Sequence, residues 1–182
     1  PANSFHRALH EPFVCRRMPV PQYGIRFLMA TRVLMVCLGN ICRSPLAEGA
    51  FQRRVDEGGH THDFVVDSAG TSAWHAGEHP HAGSIAVAAD HGLDIRAQRS
   101  RQVTAAELHS WDWIIAMDES NLRALLHMGA PPQRTRLLLS LDPSASVRDV
   151  PDPYYEGGFD RVFTLIDDAC GHLLDFLTRD DA

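Results

Sequence analysis

One short segment constrains the fold of this chain more than any other. Residues 33–36 form a continuous apolar run, which is typical of a strand buried in a parallel sheet. Cys37 follows at once, and five residues separate it from Arg43. Ser44 and Pro45 then suit a helix start, because proline fits the first helical position and the serine before it can cap. The segment therefore predicts a strand, a tight loop and a helix in succession.

The remaining chain repeats this alternation. Apolar runs at residues 64–66, 113–117 and 136–139 predict three further strands. Helical spacing predicts helices over residues 46–57, 85–91, 119–128 and 159–177, and a long loop is predicted over 142–158. Such alternation indicates an α/β domain with a mainly parallel sheet and helices on both faces. Ligands of such sheets bind beyond the carboxyl ends of the strands, where Cys37 is expected.

The first 30 residues differ from the rest. Residues 1–30 mix proline, arginine and histidine without helical or strand period, so we expect a disordered extension, or an upstream start with Met29 as the true initiator. Cys15 is given no role. Residues 31–182 suit one compact domain, in which no apolar run reaches the roughly 18 residues of a membrane span. Four cysteines are too few for a disulfide scaffold.

The charge distribution limits what the domain can bind. Residues 1–28 carry four Arg and one Glu, whereas residues 29–182 carry 13 Arg against 22 acidic residues. Broad nucleic-acid binding needs a basic face, so no nucleic-acid partner is expected. Any anion site must be local, built from a few hydrogen-bond donors and one well-placed arginine.

The loop after the first strand has the composition of such an anion site. Its backbone N–H groups can curl inward as a nest, and the following helix start adds partial positive charge. Arg43 adds a planar fork for two phosphoryl oxygens, and a Cys37 thiol in that field is expected to ionise at neutral pH. The predicted phosphate-binding residues are Leu38, Gly39, Asn40, Ile41, Cys42 and Arg43.

The same residues resemble a known family. The loop C-x-G-N-x-C-R-S-P, filled here by residues 37–45, resembles that of the low-molecular-weight protein tyrosine phosphatases of the bacterial type. Further matches follow in order at residues 67–71, 116–121 and 152–155, and the resemblance runs from about Arg32 to Leu177.

The resemblance implies a three-layer sandwich with a four-stranded parallel sheet flanked by helices on both faces. Cys37 would be the nucleophile, Arg43 the oxyanion clamp and Asp152 the general acid. Asn40 and Ser68 would hold the loop in its curled shape, and Ser44 would assist the thiolate. The expected activity is hydrolysis of phosphotyrosine in proteins and of aryl phosphates, without cofactor or metal.

The acid is also expected on chemical grounds. Neither a thiolate nor an arginine can protonate the leaving oxygen, whereas a carboxyl on a separate loop can do so and then act as base toward water. Asp152 lies between two prolines that fix its backbone, and an aromatic pair follows it. Asp149 is the alternative acid, and Asp118 is interpreted as a helix cap or loop support.

Aromatic residues are predicted to form the wall of the pocket. Trp74, Tyr154 and Tyr155 can stack on an aryl ring, which would favour phosphotyrosine over phosphoserine. The alternatives are that Trp74 anchors a surface loop and that one tyrosine packs in the core. Glu156 stands where glycine often follows the tyrosine pair, which leaves the specificity of the rim open.

Two polar clusters are interpreted as solvated surface. The first contains His75, His79 and His81, which lie in a loop with no matching cysteine or carboxylate pair for a metal. The second is the arginine run Arg96, Arg99 and Arg101.

Three rival functions stay open at this point. An arsenate reductase of similar fold would need additional relay cysteines, whereas only Cys170 remains beyond Cys42. A protein-arginine phosphatase would tend to carry Thr where Ile41 stands. A non-catalytic phosphopeptide-binding module would usually have lost the nucleophile or the acid. We expect a cytoplasmic, monomeric enzyme without a membrane partner.

The second cysteine of the loop suggests redox control. Peroxide should oxidise Cys37 first, and Cys42 can then capture the sulfenic acid as a disulfide. The alternative is that Cys42 only packs under the loop.

Overall fold

A computed structural model describes residues 30–179 of the chain. The proposed start at Met29, Cys15 and most of the predicted extension lie outside the described residues.

The strands and helices alternate as predicted, with these bounds: β1 Thr31–Cys37, α1 Arg43–Glu57, β2 Phe64–Gly70, α2 Ala82–Asp90, β3 Trp113–Ala116, α3 Glu119–His127, β4 Thr135–Leu137, α4 Pro153–Glu156 and α5 Phe159–Thr178. Short 3-10 turns cover Leu108–Ser110, Pro132–Arg134 and Leu138–Leu141.

The four strands form one parallel sheet in the order β2-β1-β3-β4. Strand β1 is therefore internal, with Val36 opposite Ala69 of β2 on one side and Ala116 of β3 on the other. Its sequence explains this place, because an internal parallel strand needs apolar side chains on both faces and Val33, Leu34, Met35 and Val36 are fully buried.

Each face of the sheet carries its own apolar core. Val33 and Met35 pack on one face with residues of α1, α2 and α5, including Phe51, Val87 and Phe163. Leu34 and Val36 pack on the other face with Leu125 of α3 and with Leu108 and Trp111 of the preceding loop. The three-layer sandwich is thus confirmed, and it places the loop after β1 at the carboxyl end of an internal strand.

Three predicted details are wrong. The fourth strand ends at Leu137, since residues 138–141 form a 3-10 turn in which Leu138 and Leu139 are buried in the core. An apolar run alone does not distinguish these two conformations. The predicted loop over 142–158 contains the short helix α4. Helix α1 begins at Arg43, so Ser44 does not cap it; the N-cap residue is Cys42, which makes no side-chain cap hydrogen bond.

Candidate active site

Cys37 is the last residue of β1, and its thiol lies at the base of a pocket. The side chain is buried, and its Sγ accepts a hydrogen bond from the Asn40 backbone N–H at 3.2 Å. The Ser44 hydroxyl lies 3.1 Å from the same sulfur. The serine that fails to cap the helix therefore faces the thiol, and two donors can stabilise negative charge on sulfur.

Asn40 holds the curled loop from inside. Its φ of +54° lies in the left-handed region, which asparagine tolerates better than most residues. Its side-chain Nδ2 donates to the hydroxyls of Ser44 and Ser68, both at 2.9 Å, and its Oδ1 accepts from the Arg101 backbone N–H at 2.9 Å. The structure thus brings together all three residues that the sequence predicted as loop support.

Neighbouring segments bind the carbonyl groups of the loop. The carbonyls of residues 37, 38 and 41 accept backbone N–H groups from Thr71, Ser72 and His81 at 2.7–2.9 Å. The carbonyls of residues 39 and 42 accept the hydroxyls of Ser100 at 2.8 Å and Ser84 at 3.3 Å. Because each trans peptide points its N–H away from its carbonyl, the amides of residues 38, 39, 40, 42 and 43 point away from these neighbouring segments, and that of Asn40 meets Cys37 Sγ. This arrangement suits an anion.

Arg43 lies in the first turn of α1 and is 3% exposed. Its Nη1 donates to Asp118 Oδ2 at 2.6 Å and to the Val150 carbonyl at 3.1 Å, and its Nη2 donates to Asp152 Oδ2 at 2.7 Å. Burial works against the charge, but Cys37, Asp152 and Asp118 outweigh it and raise the pKa of the guanidinium. The buried Nε has no hydrogen-bond partner within the described residues. A donor is therefore free for an anion in the pocket.

The three candidate carboxylates have different surroundings. Asp152 caps α4 by accepting the Tyr154 backbone N–H at 3.2 Å, and it lines the pocket. Asp118 caps α3 through the Asn121 N–H at 2.7 Å, as the sequence predicted, and also holds Arg43. Asp149 accepts the Glu119 N–H at 3.1 Å and lines a neighbouring cavity. Of the two alternatives for the acid, Asp152 is the one beside Cys37.

Aromatic side chains surround the mouth of the pocket. Trp74, Tyr154 and Tyr155 are 75%, 44% and 86% exposed, so neither tyrosine is packed in the core. The two tyrosine rings meet edge to face with centroids 4.9 Å apart. The full lining comprises Cys37, Leu38, Gly39, Ile41, Cys42, Arg43, Trp74, His75, Asp152, Tyr154 and Tyr155.

The histidine cluster is less solvated than predicted. His75 lines the pocket, its Nδ1 lies 2.9 Å from Glu78 Oε2, and its ring lies 6.1 Å from that of Tyr154. His81 caps α2 and stacks on Phe159 at 5.2 Å. Only His79 is exposed as expected. Sequence spacing does not predict this division, because the fold of the loop brings His75 to the pocket and His81 to the start of α2.

The arginine run also divides. Arg96 and Arg99 are exposed, as predicted. Arg101 is not merely a solvated residue: it forms ion pairs with Asp67 at 2.8 Å and Glu107 at 2.9 Å. These contacts fix the segment whose backbone N–H binds Asn40.

Glu48 was missed by the sequence reasoning. Its Oε2 accepts the Ser68 hydroxyl at 2.6 Å, and burial, partly opposed by that hydrogen bond, raises the pKa of its carboxyl to about 7. The only available signal was its position four residues after Ser44, which places both on one side of α1.

Among residues 30–179 there is no group of three or more histidine, cysteine, aspartate or glutamate side chains placed to hold a metal ion. In the same range, no helix combines the length and apolar character needed to cross a membrane.

A family described as low molecular weight phosphotyrosine protein phosphatase has a model that matches residues 32–182. The chain belongs to this family. Among phosphatases of the family, it is similar to a low molecular weight protein-tyrosine-phosphatase of Streptomyces coelicolor, with 44% identity over 156 residues that cover 80% of this chain and 93% of the relative.

Two solved structures extend the comparison within this phosphatase family fold. The crystal structure of YfkJ from Bacillus subtilis has a TM-score of 0.81 and 37% identity, and the match covers 84% of this chain and 98% of that chain. The crystal structure of a Drosophila arginine phosphatase has a TM-score of 0.75 and 34% identity, covering 82% of this chain and 99% of that chain.

Proposed function

We propose that this chain is a protein-tyrosine phosphatase that hydrolyses phosphotyrosine and aryl phosphates through a cysteinyl-phosphate. The observation that carries the proposal is the surroundings of Cys37. Its sulfur accepts the Asn40 N–H and faces the Ser44 hydroxyl, at the base of a pocket whose walls include Arg43 and Asp152. A nucleophile, an anion clamp and a carboxyl thus share one small pocket.

The first chemical step transfers the phosphoryl group to Cys37. The thiolate attacks phosphorus, the bond between phosphorus and the ester oxygen breaks, and Asp152 gives its proton to the departing phenol. The inward amides of the loop and the Arg43 guanidinium bind the phosphoryl oxygens, whose charge grows in the transition state. In the second step, Asp152 takes a proton from water, the hydroxide displaces sulfur, and inorganic phosphate leaves with the thiolate restored.

The exposed rim supports an aryl substrate. Trp74 and Tyr155 stand above the pocket largely in solvent, where a flat ring can stack between them and Tyr154. Cys37 is only 3% exposed beneath this rim, so a long, rigid phosphotyrosine reaches it better than a short phosphoserine.

The same geometry weighs on the rival functions. Cys170 is buried on α5 against the Ala47 carbonyl at 3.7 Å, which is unsuited to a disulfide relay for arsenate reduction. Protein-arginine phosphatase stays a second candidate, because the Drosophila arginine phosphatase shares the fold. Ile41, whose apolar side chain lines the pocket, favours the tyrosine substrate.

The proposal is tested with purified enzyme and matched phosphotyrosine and phosphoarginine peptides. Wild type should hydrolyse the tyrosine peptide and p-nitrophenyl phosphate without added metal, and Cys37→Ser should show no turnover, because a hydroxyl is scarcely ionised at neutral pH. Cys170→Ala, which removes another buried thiol, is the control and should stay active. Preference for phosphoarginine would reassign the substrate, and peptide binding without turnover would leave a binding module.

We further propose that the substrates are phosphotyrosine-containing proteins and that the enzyme works as a cytoplasmic monomer. Residues 31–182 are proposed to be the phosphatase domain, with residues 1–30 as an extension outside it. A chain beginning at residue 31 should then retain full activity and elute at the mass of one copy in size-exclusion chromatography.

A further inference from the structure

A continuous chain of hydrogen bonds leads from Cys37 to Glu48. The Ser44 hydroxyl lies 3.1 Å from Cys37 Sγ, and Asn40 Nδ2 donates to both Ser44 Oγ and Ser68 Oγ at 2.9 Å. The Ser68 hydroxyl then donates to Glu48 Oε2 at 2.6 Å, the shortest link of the chain. The carboxyl of Glu48 does not line the pocket, so its hydrogen-bonded route to the thiol runs through these groups.

The direction of every hydrogen bond in the chain follows from the groups at its two ends, the Arg101 backbone N–H and the Glu48 carboxyl. The Arg101 backbone N–H donates to Asn40 Oδ1, so the amide nitrogen of Asn40 must face the two serines. Each serine oxygen then accepts from Asn40 and keeps its own proton for another partner. For Ser68 that partner is Glu48. For Ser44 it is Cys37 Sγ or the more distant Ala69 carbonyl at 3.4 Å.

We propose that Glu48 is a positioning residue that holds this polarity, so that the Ser44 hydroxyl donates to the Cys37 sulfur. As the acceptor at the far end, Glu48 binds the Ser68 proton, so the lone pairs of Ser68 Oγ stay directed at one Asn40 N–H while the other N–H goes to Ser44. The amide is thereby held in the orientation in which Ser44 accepts from Asn40 and keeps its own proton for sulfur. This inference rests on the proposed function, in which the Cys37 thiolate is the nucleophile.

Groups from several elements face the Glu48 carboxyl. Asp67 of β2 opposes its charge and Arg101 favours it, while Ser68 and the amide of Gln98 contribute hydrogen bonds. Burial is the largest influence and raises the pKa of Glu48 to about 7. Protonation near neutral pH weakens its acceptor strength, so the polarity of the chain should respond to pH there.

Two substitutions of similar size separate the acceptor from the charge. Glu48→Gln removes the charge and keeps a carbonyl acceptor for Ser68, whereas Glu48→Met removes both. The measurement is the pH at which Cys37 is half-maximally alkylated by iodoacetamide, with the modified peptide identified by mass spectrometry. We expect the midpoint of Glu48→Met to lie about one pH unit above that of Glu48→Gln, because a hydrogen bond to the charged sulfur is lost.

A second background shows whether Ser68 carries the effect. In Ser68→Ala the chain is already cut, so Glu48→Gln and Glu48→Met should give the same midpoint. Equal midpoints of the two variants in the wild-type background would overturn the proposal, since only charge would then matter. A difference that persists in Ser68→Ala would overturn it as well. Asp56→Asn, an exposed carboxylate on the same helix, is the control and should leave the midpoint unchanged.

Folding and activity are measured alongside. Thermal unfolding identifies a variant that fails to fold, and Glu48→Ala then replaces Glu48→Met, since it also lacks an acceptor. Turnover of p-nitrophenyl phosphate should fall about tenfold from Glu48→Gln to Glu48→Met at a pH below the midpoint. An inactive wild type would refute the proposed function, whereas the alkylation midpoints test Glu48 independently of turnover.

Discussion

Nη2 of Arg43 lies 2.7 Å from Oδ2 of Asp152. The residue proposed to bind the phosphoryl group and the residue proposed to protonate the leaving oxygen are therefore bonded to each other. Asp118 holds the other arm of the guanidinium at 2.6 Å, so we expect the plane of Arg43 to stay fixed when Asp152 exchanges this bond for the substrate. We expect an incoming dianion to bind the Nη2 donor and the Nε, which has no partner among residues 30–179.

Replacement of the proposed acid should have an effect that depends on the leaving group. Asp152→Asn keeps an oxygen for Arg43 and Tyr154 but cannot give a proton. We expect kcat to fall about a hundredfold with phenyl phosphate and clearly less with p-nitrophenyl phosphate, whose phenolate leaves without help. Steady-state kinetics over a leaving-group series measure this. Asp149→Asn is the control, and equal losses across the series would make Asp152 structural.

Lysine should not be able to replace Arg43. Arg43→Lys keeps the charge but loses the planar guanidinium. In wild type this group binds Asp118 and Asp152 through its Nη atoms while its Nε remains available for substrate. We expect kcat/KM to drop by at least about a hundredfold. Arg54→Lys, in the same helix and paired with Asp167, is the matched control and should stay near wild type. Near-wild-type turnover of Arg43→Lys would remove the arginine from its assigned role.

Glu48 should make stability depend on pH. Its pKa is raised from 4.5 to about 7 chiefly by burial, so the folded state holds this proton more tightly than the unfolded state. The stabilisation is complete below about pH 4.5 and is lost as pH rises through about 7. Between pH 5 and pH 8, the unfolding free energy of wild type should fall by about 2 kcal/mol relative to Glu48→Gln.

Urea unfolding at the two pH values measures this difference. Asp56→Asn should track wild type at both, because that carboxylate is exposed. If the unfolding free energies of wild type and Glu48→Gln changed in parallel with pH, Glu48 would titrate alike in the folded and unfolded states, and the prediction would be wrong.

Capture of oxidised Cys37 by Cys42 should be strongly pH-dependent. Burial, with a smaller contribution from Cys37, raises the pKa of Cys42 to about 12, so few of its thiols are ionised at neutral pH. Only the thiolate attacks, and the ratio of Cys37–Cys42 disulfide to dimedone-trapped sulfenic acid should therefore rise about tenfold per pH unit from pH 7 to 9.

Intact-mass analysis after peroxide measures that ratio, and Cys42→Ser should give the trapped acid only. Thiol reductant should then restore wild type more fully than Cys42→Ser. Equal recovery with no disulfide would show that Cys42 only packs under the loop.

Much of the fold was predictable because the apolar pattern is unambiguous where strands are buried on both faces. Residues 33–36 and 113–116 are such runs, and the loop after Cys37 needed only local cues. Leu138 and Leu139 were wrongly predicted as strand, since burial in the core does not require an extended backbone. The cap of α1 was wrongly predicted for a different reason: the Ser44 hydroxyl binds the Cys37 thiol and the Asn40 side chain in place of a helix N–H.

The site was predictable where one segment supplies the groups and less so where distant segments meet. Residues 37–44 are contiguous, and the two prolines that flank Asp152 marked it as a candidate. His75, Arg101 and Glu48 contact residues 20 or more positions away along the chain, namely Tyr154, Asn40 and Ser68 respectively. Neither the periodicity nor the spacing of residues in the sequence predicts such long-range contacts.

The internal position of β1 ties catalysis to the integrity of the sheet. Cys37 is held through β1 between β2 and β3, and the loop carbonyls are bonded to segments that follow β2 and lead into α2. Fraying of the loop would break the hydrogen bonds between its carbonyls and these segments, so we expect the loop and the sheet to open together. Amide protons of β1 and of the loop should then exchange in one cooperative unit, and loss of turnover in denaturant should coincide with loss of circular dichroism.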